Sequence, residues 1–314
     1  MTADSSAATT PIPGVVAVVG SANFDFVVPV PRHPRLGETV IGGDHLLVPG
    51  GKGANQAVAA RRLGAQTSFT GRLGDDDLGT RLREALTAEE LDLTALHTDK
   101  AAPTGIALIS VGPDGDNTIV VSPGANSRVS GEDIRRAGDA LASADAVLAQ
   151  LEVPVVAIEE AAAATNGRFV LNPAPATELP ASLLERVDVL VPNRGELASL
   201  AGATAEPDQL DEVAQLANRL PGPAVVVVTL GADGALVVDT DVTHVPALDV
   251  RAIDTTAAGD AFSAALTVRL VAGDDVVAAA RYAVVAAGLA TTKRGAQSSL
   301  PSASEVADVR VAGA

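Results

Sequence analysis

The sequence predicts an α/β fold in which a mostly parallel sheet is covered by helices, and three observations point there. Short β-branched runs alternate with longer Ala- and Leu-rich segments of helical period. Polar or glycine-rich residues stand directly after those runs, at the strand ends where open parallel sheets collect ligands. Two regions break the alternation and read as extended ribbons joined by Gly, Pro and Asp turns.

The elements follow in order. Val15 to Val19 is the first strand run, and Asn23 and Asp25 come just after it. One ribbon pairs Phe24 to Val30 with Thr39 to Val48. Helical periods then cover Asn55 to Leu63 and Leu78 to Glu89. The second ribbon joins Gly105 to Val111 with Asn117 to Ser122. Strands are predicted at Ala146 to Leu151, Arg168 to Leu171, Val187 to Val191 and Ala224 to Thr229. Helices are predicted between and after them at Pro154 to Thr165, Gly195 to Ala201 and Leu210 to Leu220, and a further helix begins near Ala261. Met1 to Pro13 is Ala, Ser, Thr and Pro without a basic or apolar leader segment, so 1–13 is expected to be a disordered tail and 14–314 a single domain.

Composition excludes several classes. With a net charge of −17 and 2% aromatics, the chain lacks both the cationic surface and the stacking platforms that nucleic-acid binding uses. No stretch is long and uncharged enough to cross a bilayer. The chain has no cysteine, which removes disulfides and thiolate chemistry and is compatible with a cytoplasmic location. G-x-G-x-x-G, G-x-S-x-G and H-E-x-x-H patterns are missing, which argues against dinucleotide, serine-hydrolase and zinc-protease chemistry.

Two clusters carry chemistry. Asp254-Thr255-Thr256-Ala257-Ala258-Gly259-Asp260 runs into an apolar helical stretch. Unpartnered N–H groups at such a helix start attract anions, and three small residues let a phosphate approach, while Asp260 stands where it can take a proton. The same seven residues also read as an ordinary helix cap. Upstream, Gly50-Gly51-Lys52-Gly53 precedes Ala54, Asn55 and Gln56. The spacing is not that of a Walker A loop, and Lys52 and Asn55 offer donors suited to a polyhydroxylated ligand. A glycine turn with a solvated lysine is the plainer alternative.

Taken in register with Gly20 to Asp25, Gln150-Leu151-Glu152, Asn172 to Ala176, Asn193 with Glu196, and Thr229-Leu230-Gly231, these clusters resemble the ribokinase-like family of carbohydrate and nucleoside kinases. The resemblance runs from about Val15 to Pro301 and is nearest to its ribokinase branch. It implies a three-layer α/β/α sandwich whose ribbons, about 24–49 and 103–122, form a β-sheet lid over the sugar and pair with a second subunit as a homodimer.

What the resemblance implies for single residues is specific. Asp260 is the general base, and Ala257, Ala258 and Gly259 form the anion hole. Asn23, Asp25, Gly51, Lys52, Gly53, Asn55 and Glu152 surround the sugar together with Asp260. Asn193, Thr229, Gly231, Gly259 and Val284 bind ATP. Val284 stands where some family members carry a polar residue near the adenine. Glu196 orders magnesium through water, and Asn193 with Glu196 reads equally as a capping box. Asp254, Thr256, Ala290, Lys293, Gly295 and Ser299 enclose a potassium ion, with a basic surface loop as the plain alternative for the last of these. The implied activity is ATP-dependent phosphorylation of D-ribose on its 5-hydroxyl. A kinase for 2-deoxyribose, another sugar or a nucleoside is the alternative, and a non-catalytic sugar-binding protein is a further one.

Overall fold

Apolar strands whose successive side chains serve opposite faces make the centre of the protein. The computed structural model describes residues 14–309, so the tail expected at 1–13 lies outside the described residues. The strands are β1 (Val15–Val19), β2 (Asn23–Pro29), β3 (Leu46–Gly50), β4 (Gln66–Gly74), β5 (Leu96–Asp99), β6 (Gly105–Val111), β7 (Asn117–Ser122), β8 (Ala146–Ala149), β9 (Arg168–Leu171), β10 (Val189–Leu190), β11 (Val225–Thr229), β12 (Ala235–Val238) and β13 (Val242–Val245). The helices are α1 (Lys52–Arg62), α2 (Asp77–Ala88), α3 (Gly131–Arg136), α4 (Gly138–Ser143), α5 (Val155–Ala164), α6 (Ala181–Leu184), α7 (Arg194–Leu200), α8 (Leu210–Ala217), α9 (Ala258–Val271), α10 (Val276–Thr291) and α11 (Ala303–Asp308).

A nine-stranded sheet has the order β13-β12-β11-β10-β9-β8-β1-β4-β5. From β11 to β5 all neighbours are parallel, and the β12–β13 hairpin adds an antiparallel edge. The strand alternation sorts the core into two layers. Val16, Val18, Leu148, Val170 and Val227 meet Val58 of α1, Leu82 of α2, Phe262 of α9 and Ala283 of α10. Ala17, Val19, Val147, Phe169 and Val228 meet Ile134 of α3, Leu141 of α4, Ile158 of α5, Leu197 of α7 and Val213 of α8. The result is the three-layer α/β/α sandwich expected. Strand β1 lies between β4 and β8, so the sheet order reverses at its carboxyl end, where open α/β sheets form a crevice.

A separate small sheet, ordered β3-β2-β6-β7, leaves that crevice directly, because β2 follows β1 after three residues. The two predicted ribbons are joined into one sheet by parallel pairing of β2 with β6 over Asn23–Pro29 and Gly105–Val111, which the sequence pattern did not reveal. Thr39 to His45, expected as strand, is irregular, and pairing begins only at Leu46 opposite Val27. Gly42 and Gly43 interrupt that stretch, and the Gly43 N–H bonds to the Pro29 carbonyl at 2.8 Å. Strand β8 stops two residues short of Leu151, whose N–H turns to the Ala174 carbonyl at 2.9 Å. Among the described residues no helix is long and apolar enough to cross a membrane.

Candidate active site

Two helix N-termini converge over the carboxyl edge of the sheet. Helix α1 begins at Lys52, three residues before the helical period is legible, because Gly51 caps it with φ 89°, a conformation that glycine adopts without strain. Gly50 has a different reason to lack a side chain: a Cβ there would lie 2.2 Å from Asp25 Oδ2. With the helix started here, Asn55 Nδ2 donates to Asp260 Oδ2 at 2.9 Å and Gln56 Nε2 donates to Asp260 Oδ1 at 3.0 Å. Asp260 is the third residue of α9, so both of its oxygens are held from across the crevice.

The start of α9 is built on a left-handed Ala257, with φ 60° and ψ 8°. Such a conformation costs a non-glycine residue about 1–2 kcal/mol. It turns the chain so that the first-turn amides face one way, the arrangement that makes anion-binding concavities. The Ala258 N–H closes a turn onto the Thr255 carbonyl at 3.2 Å, while the Gly259 and Asp260 amides have no acceptor among the described residues.

Lys52 stands among four carboxylates. Burial would lower its ammonium pKa, but Asp260, Glu152, Glu196 and Asp25 outweigh that and raise it. Burial pushes the Asp260 carboxyl upward, opposed by Lys52 and by the donations from Asn55 and Gln56. Asp25, only 8% exposed, is raised from 3.8 to about 7, first by burial and then by repulsion from Glu152 and Asp260. Burial also raises Glu196, against the Asn193 N–H and Lys52.

Other expected site residues are held by neighbours. Glu152 Oε2 accepts from the Lys52 N–H at 3.1 Å and from the Ser21 hydroxyl, so it fastens the first turn of α1 to the β1–β2 connection. Gly53, fully buried in that turn, gives its N–H to the Ser21 hydroxyl at 3.4 Å. Asn23 Oδ1 accepts from Asn126 Nδ2 at 2.7 Å. Asn193 and Glu196 form the capping box of α7, each side chain meeting the other's backbone N–H at 2.8 Å. Asp254 Oδ1 accepts from the Thr256 N–H at 2.9 Å and its Oδ2 from the Gly295 N–H at 2.9 Å, joining the two loops of the expected cation site. Burial alone would raise the Asp254 carboxyl, and these bonds lower it overall. In the same loop Ser299, fully buried, donates to the Ala296 carbonyl, the Ala290 carbonyl accepts from the Lys293 N–H at 3.4 Å, and the Lys293 ammonium pairs with Glu305.

Two cavities open along this edge. One of about 210 Å³ is lined by Lys52, Asn172, Asn193, Glu196, Asp260 and Ser263. The other, about 490 Å³, is mainly apolar, with Gly231, Leu248, Val250, Phe262, Val284 and Ala287 in its wall. Both share Thr229, Thr255 and Gly259, so Gly259, with its free amide, lies where the two meet.

Sequence reading assigned no role to Gln56, Gln150 or Asn126, and took Asn172 only as a site residue at the end of a strand, without a function. All four are buried: Gln56 bonds to Asp260, Gln150 to Gln56, Asn172 to the Val191 carbonyl beyond β10, and Asn126 to Asn23. Gln56, Gln150 and Asn172 stand inside the clusters already singled out. Their uncharged amides give no signal of partners 94 or more residues away.

A carbohydrate kinase is what this fold and crevice define: the pfkB family carbohydrate kinase model matches residues 15–303, and the chain belongs to that family. Within it, the chain is 39% identical to a ribokinase of Haemophilus influenzae over 92% of this chain and 96% of that one. It is 35% identical to a deoxyribokinase of Salmonella typhi, over 91% and 95% of the respective chains. The Arabidopsis thaliana ribokinase, solved with ribose and ATP, superposes with a TM-score of 0.83 at 32% identity, covering 94% of this chain and 97% of that one.

The raised Asp25 has a consequence for stability. Its folded pKa near 7 exceeds the unfolded value near 3.8, so the folded state binds the extra proton between those limits and stability falls as pH rises through that window. Asp25→Asn removes the penalty. Denaturant midpoints of the unliganded protein are expected to favour Asp25→Asn by a margin that widens from pH 4 to 7 and levels off above it. A margin independent of pH would contradict the shift.

Proposed function

We propose that this protein transfers the γ-phosphoryl group of ATP to the 5-hydroxyl of D-ribose, with Asp260 as general base. The observation that carries the reading is the clamped, burial-raised Asp260 carboxylate in the polar cavity, next to Gly259, which also lines the apolar one, and beside unpartnered helix amides. The ribokinase relatives supply the choice of sugar, since nothing in the Asp260 clamp distinguishes one pentose from another.

In this mechanism Asp25, whose carboxylate accepts no hydrogen bond from another described residue, takes two sugar hydroxyls. Lys52, Asn55, Asn23, Glu152 and the Gly51–Gly53 backbone complete the sugar's surroundings. The 5-hydroxyl then faces Asp260, which removes its proton as the oxygen attacks the γ-phosphorus in line. Ala257, Ala258 and Gly259 present backbone to the transferring group, and the free amides stabilise its charge. The adenosine lies in the apolar cavity against Gly231 and Val284, with Thr229 and Asn193 near the phosphates.

Among the described residues no group of three or more His, Cys, Asp or Glu is placed to hold a metal. That suits magnesium, which keeps most of its waters and needs few protein carboxylates. Glu196 would hold it through water, because its capping bond occupies Oε2 and leaves Oε1 without a partner among the described residues. Magnesium bound with ATP neutralises charge on the polyphosphate. Side-chain oxygens of Asp254 and Ser299 with backbone carbonyls of Thr256, Ala290, Lys293 and Gly295 form an oxygen set that suits potassium, which would brace the α9 start from behind, while the Lys293 ammonium is turned to Glu305.

The small sheet acts as a lid over the sugar and excludes water from the transfer. Its exposed Leu46, Leu108, Ile119, Val120 and Val121 also favour a homodimer through that sheet.

Two measurements, turnover and sedimentation, test these readings. ADP release is expected with ribose in the presence of magnesium and to rise with potassium, and Asp260→Asn lowers kcat by about 10²–10⁴-fold while ribose binding holds. Near-normal turnover in that variant overturns the base role; faster turnover of 2-deoxyribose transfers the activity to that sugar; no ADP release with ribose, 2-deoxyribose, fructose or adenosine supports a sugar-binding protein. Sedimentation should give a dimer that Val120→Lys dissociates, whereas a monomeric wild type contradicts lid pairing.

A further inference from the structure

Gln56 and Gln150 have no solvent exposure, and the proposed mechanism gives them nothing to do. Gln56 makes the larger set of contacts. Its Nε2 donates to Asp260 Oδ1 at 3.0 Å and to Asn172 Oδ1 at 3.1 Å, while its Oε1 accepts from Gln150 Nε2. Asn172 passes the connection on, its Nδ2 donating to the Val191 carbonyl at 2.9 Å. One glutamine side chain therefore links α1 and α9 to positions just beyond β8, β9 and β10.

The direction of every amide in this chain follows from one charge. An ionised carboxylate only accepts hydrogen bonds, so Gln56 must turn its NH₂ toward Asp260. Its carbonyl then faces Gln150, which must in turn present its own NH₂. Similarly, the second Gln56 N–H needs an acceptor, which sets Asn172 with Oδ1 toward Gln56 and Nδ2 toward Val191. A flipped Gln56 would bring its carbonyl oxygen against Asp260, two acceptors facing one another where the Gln56 side chain has no access to water.

We infer that Gln56, locked by Gln150, is a positioning residue that holds the Asp260 carboxylate in line with the acceptor hydroxyl. The inference rests on the reading of Asp260 as base. Asn55 cannot do the same work alone, because it holds only Oδ2 and stands among the groups proposed to touch the sugar. With Oδ1 released, the carboxylate rotates about its remaining bond, and small misplacements of a reacting group cost much of its rate. Besides the two amides, Lys52 of α1, Glu152 beyond β8, Asp25 of β2 and Glu196 of α7 act electrostatically on Asp260. Of these only Lys52 and the amide donors favour the ionised form, so losing Gln56 moves its titration upward.

The test replaces Gln56 with the apolar, similarly long methionine. Gln56→Met is expected to lower kcat by about 10- to 100-fold, to leave the ribose KM nearly unchanged, and to shift the acid limb of the kcat–pH profile upward. Gln150→Met, which unlocks Gln56 without touching Asp260, shifts kcat and the acid limb in the same direction by less. The double variant is no worse than Gln56→Met, because both changes act through one bond. A folded Gln56→Met enzyme with unchanged kcat and acid limb overturns the inference, as do additive effects of the two substitutions. Should Gln56→Met not fold, Gln150→Met decides alone: an unmoved acid limb overturns the inference. Asp260→Asn in the same assays separates the two levels, since near-normal turnover there removes the base reading itself, whereas an inert Asp260→Asn beside an unaffected Gln56→Met removes only the positioning role.

Discussion

The hydrogen bonds from Asn55 and Gln56 to Asp260 are the contact on which the rest of the crevice depends. A buried carboxylate is costly unless donors surround it, and two neutral amides with one nearby ammonium supply what water no longer does. That requirement propagates outward. The amides reach Asp260 only if α1 begins at Lys52, α1 begins there only because Gly51 takes a positive φ, and Asp25 fits beside it only because Gly50 has no Cβ. Glu152 and Ser21 then fix that first turn to the end of β1, where the order of the sheet reverses.

The same arrangement carries an electrostatic penalty. Asp25, Glu152, Glu196 and Asp260 act on the single ammonium of Lys52, and the rise of Asp25 from 3.8 to about 7 corresponds to on the order of 4 kcal/mol between its protonation states. The penalty falls on the unliganded state. Hydroxyl donors of a bound sugar would satisfy oxygens that lack partners, so binding relieves part of it. Sites that trade stability for function in this way are common where pKa values are strongly perturbed.

Much of the fold was legible because its signals are local. The run Val15–Val19 is apolar throughout and Arg168–Leu171 is apolar after its first residue, both are bounded by turns, and both form strands with those limits. Strand β4 was not, because Gln66–Gly74 mixes Thr, Ser and Gly with isolated Phe and Leu, and its place beside β1 is set by the sheet. Parallel pairing of β2 with β6 joins residues about eighty apart in sequence and leaves no local trace. In the site, Asp260 and Lys52 stood out because charge beside glycine is chemically conspicuous. Gln56 did not, since a buried glutamine inside an alanine-rich helix differs from a solvated one only in partners brought by the fold.

The central claim is that the hydroxyl facing Asp260 is the primary hydroxyl of a pentose. Phosphorus–proton correlation spectroscopy of the product formed from ribose and ATP tests it most directly. The account predicts a phosphomonoester whose phosphorus couples to the two protons on C5. A phosphoester coupled to the C1 proton, or ATP consumed with no sugar phosphate formed, would contradict it.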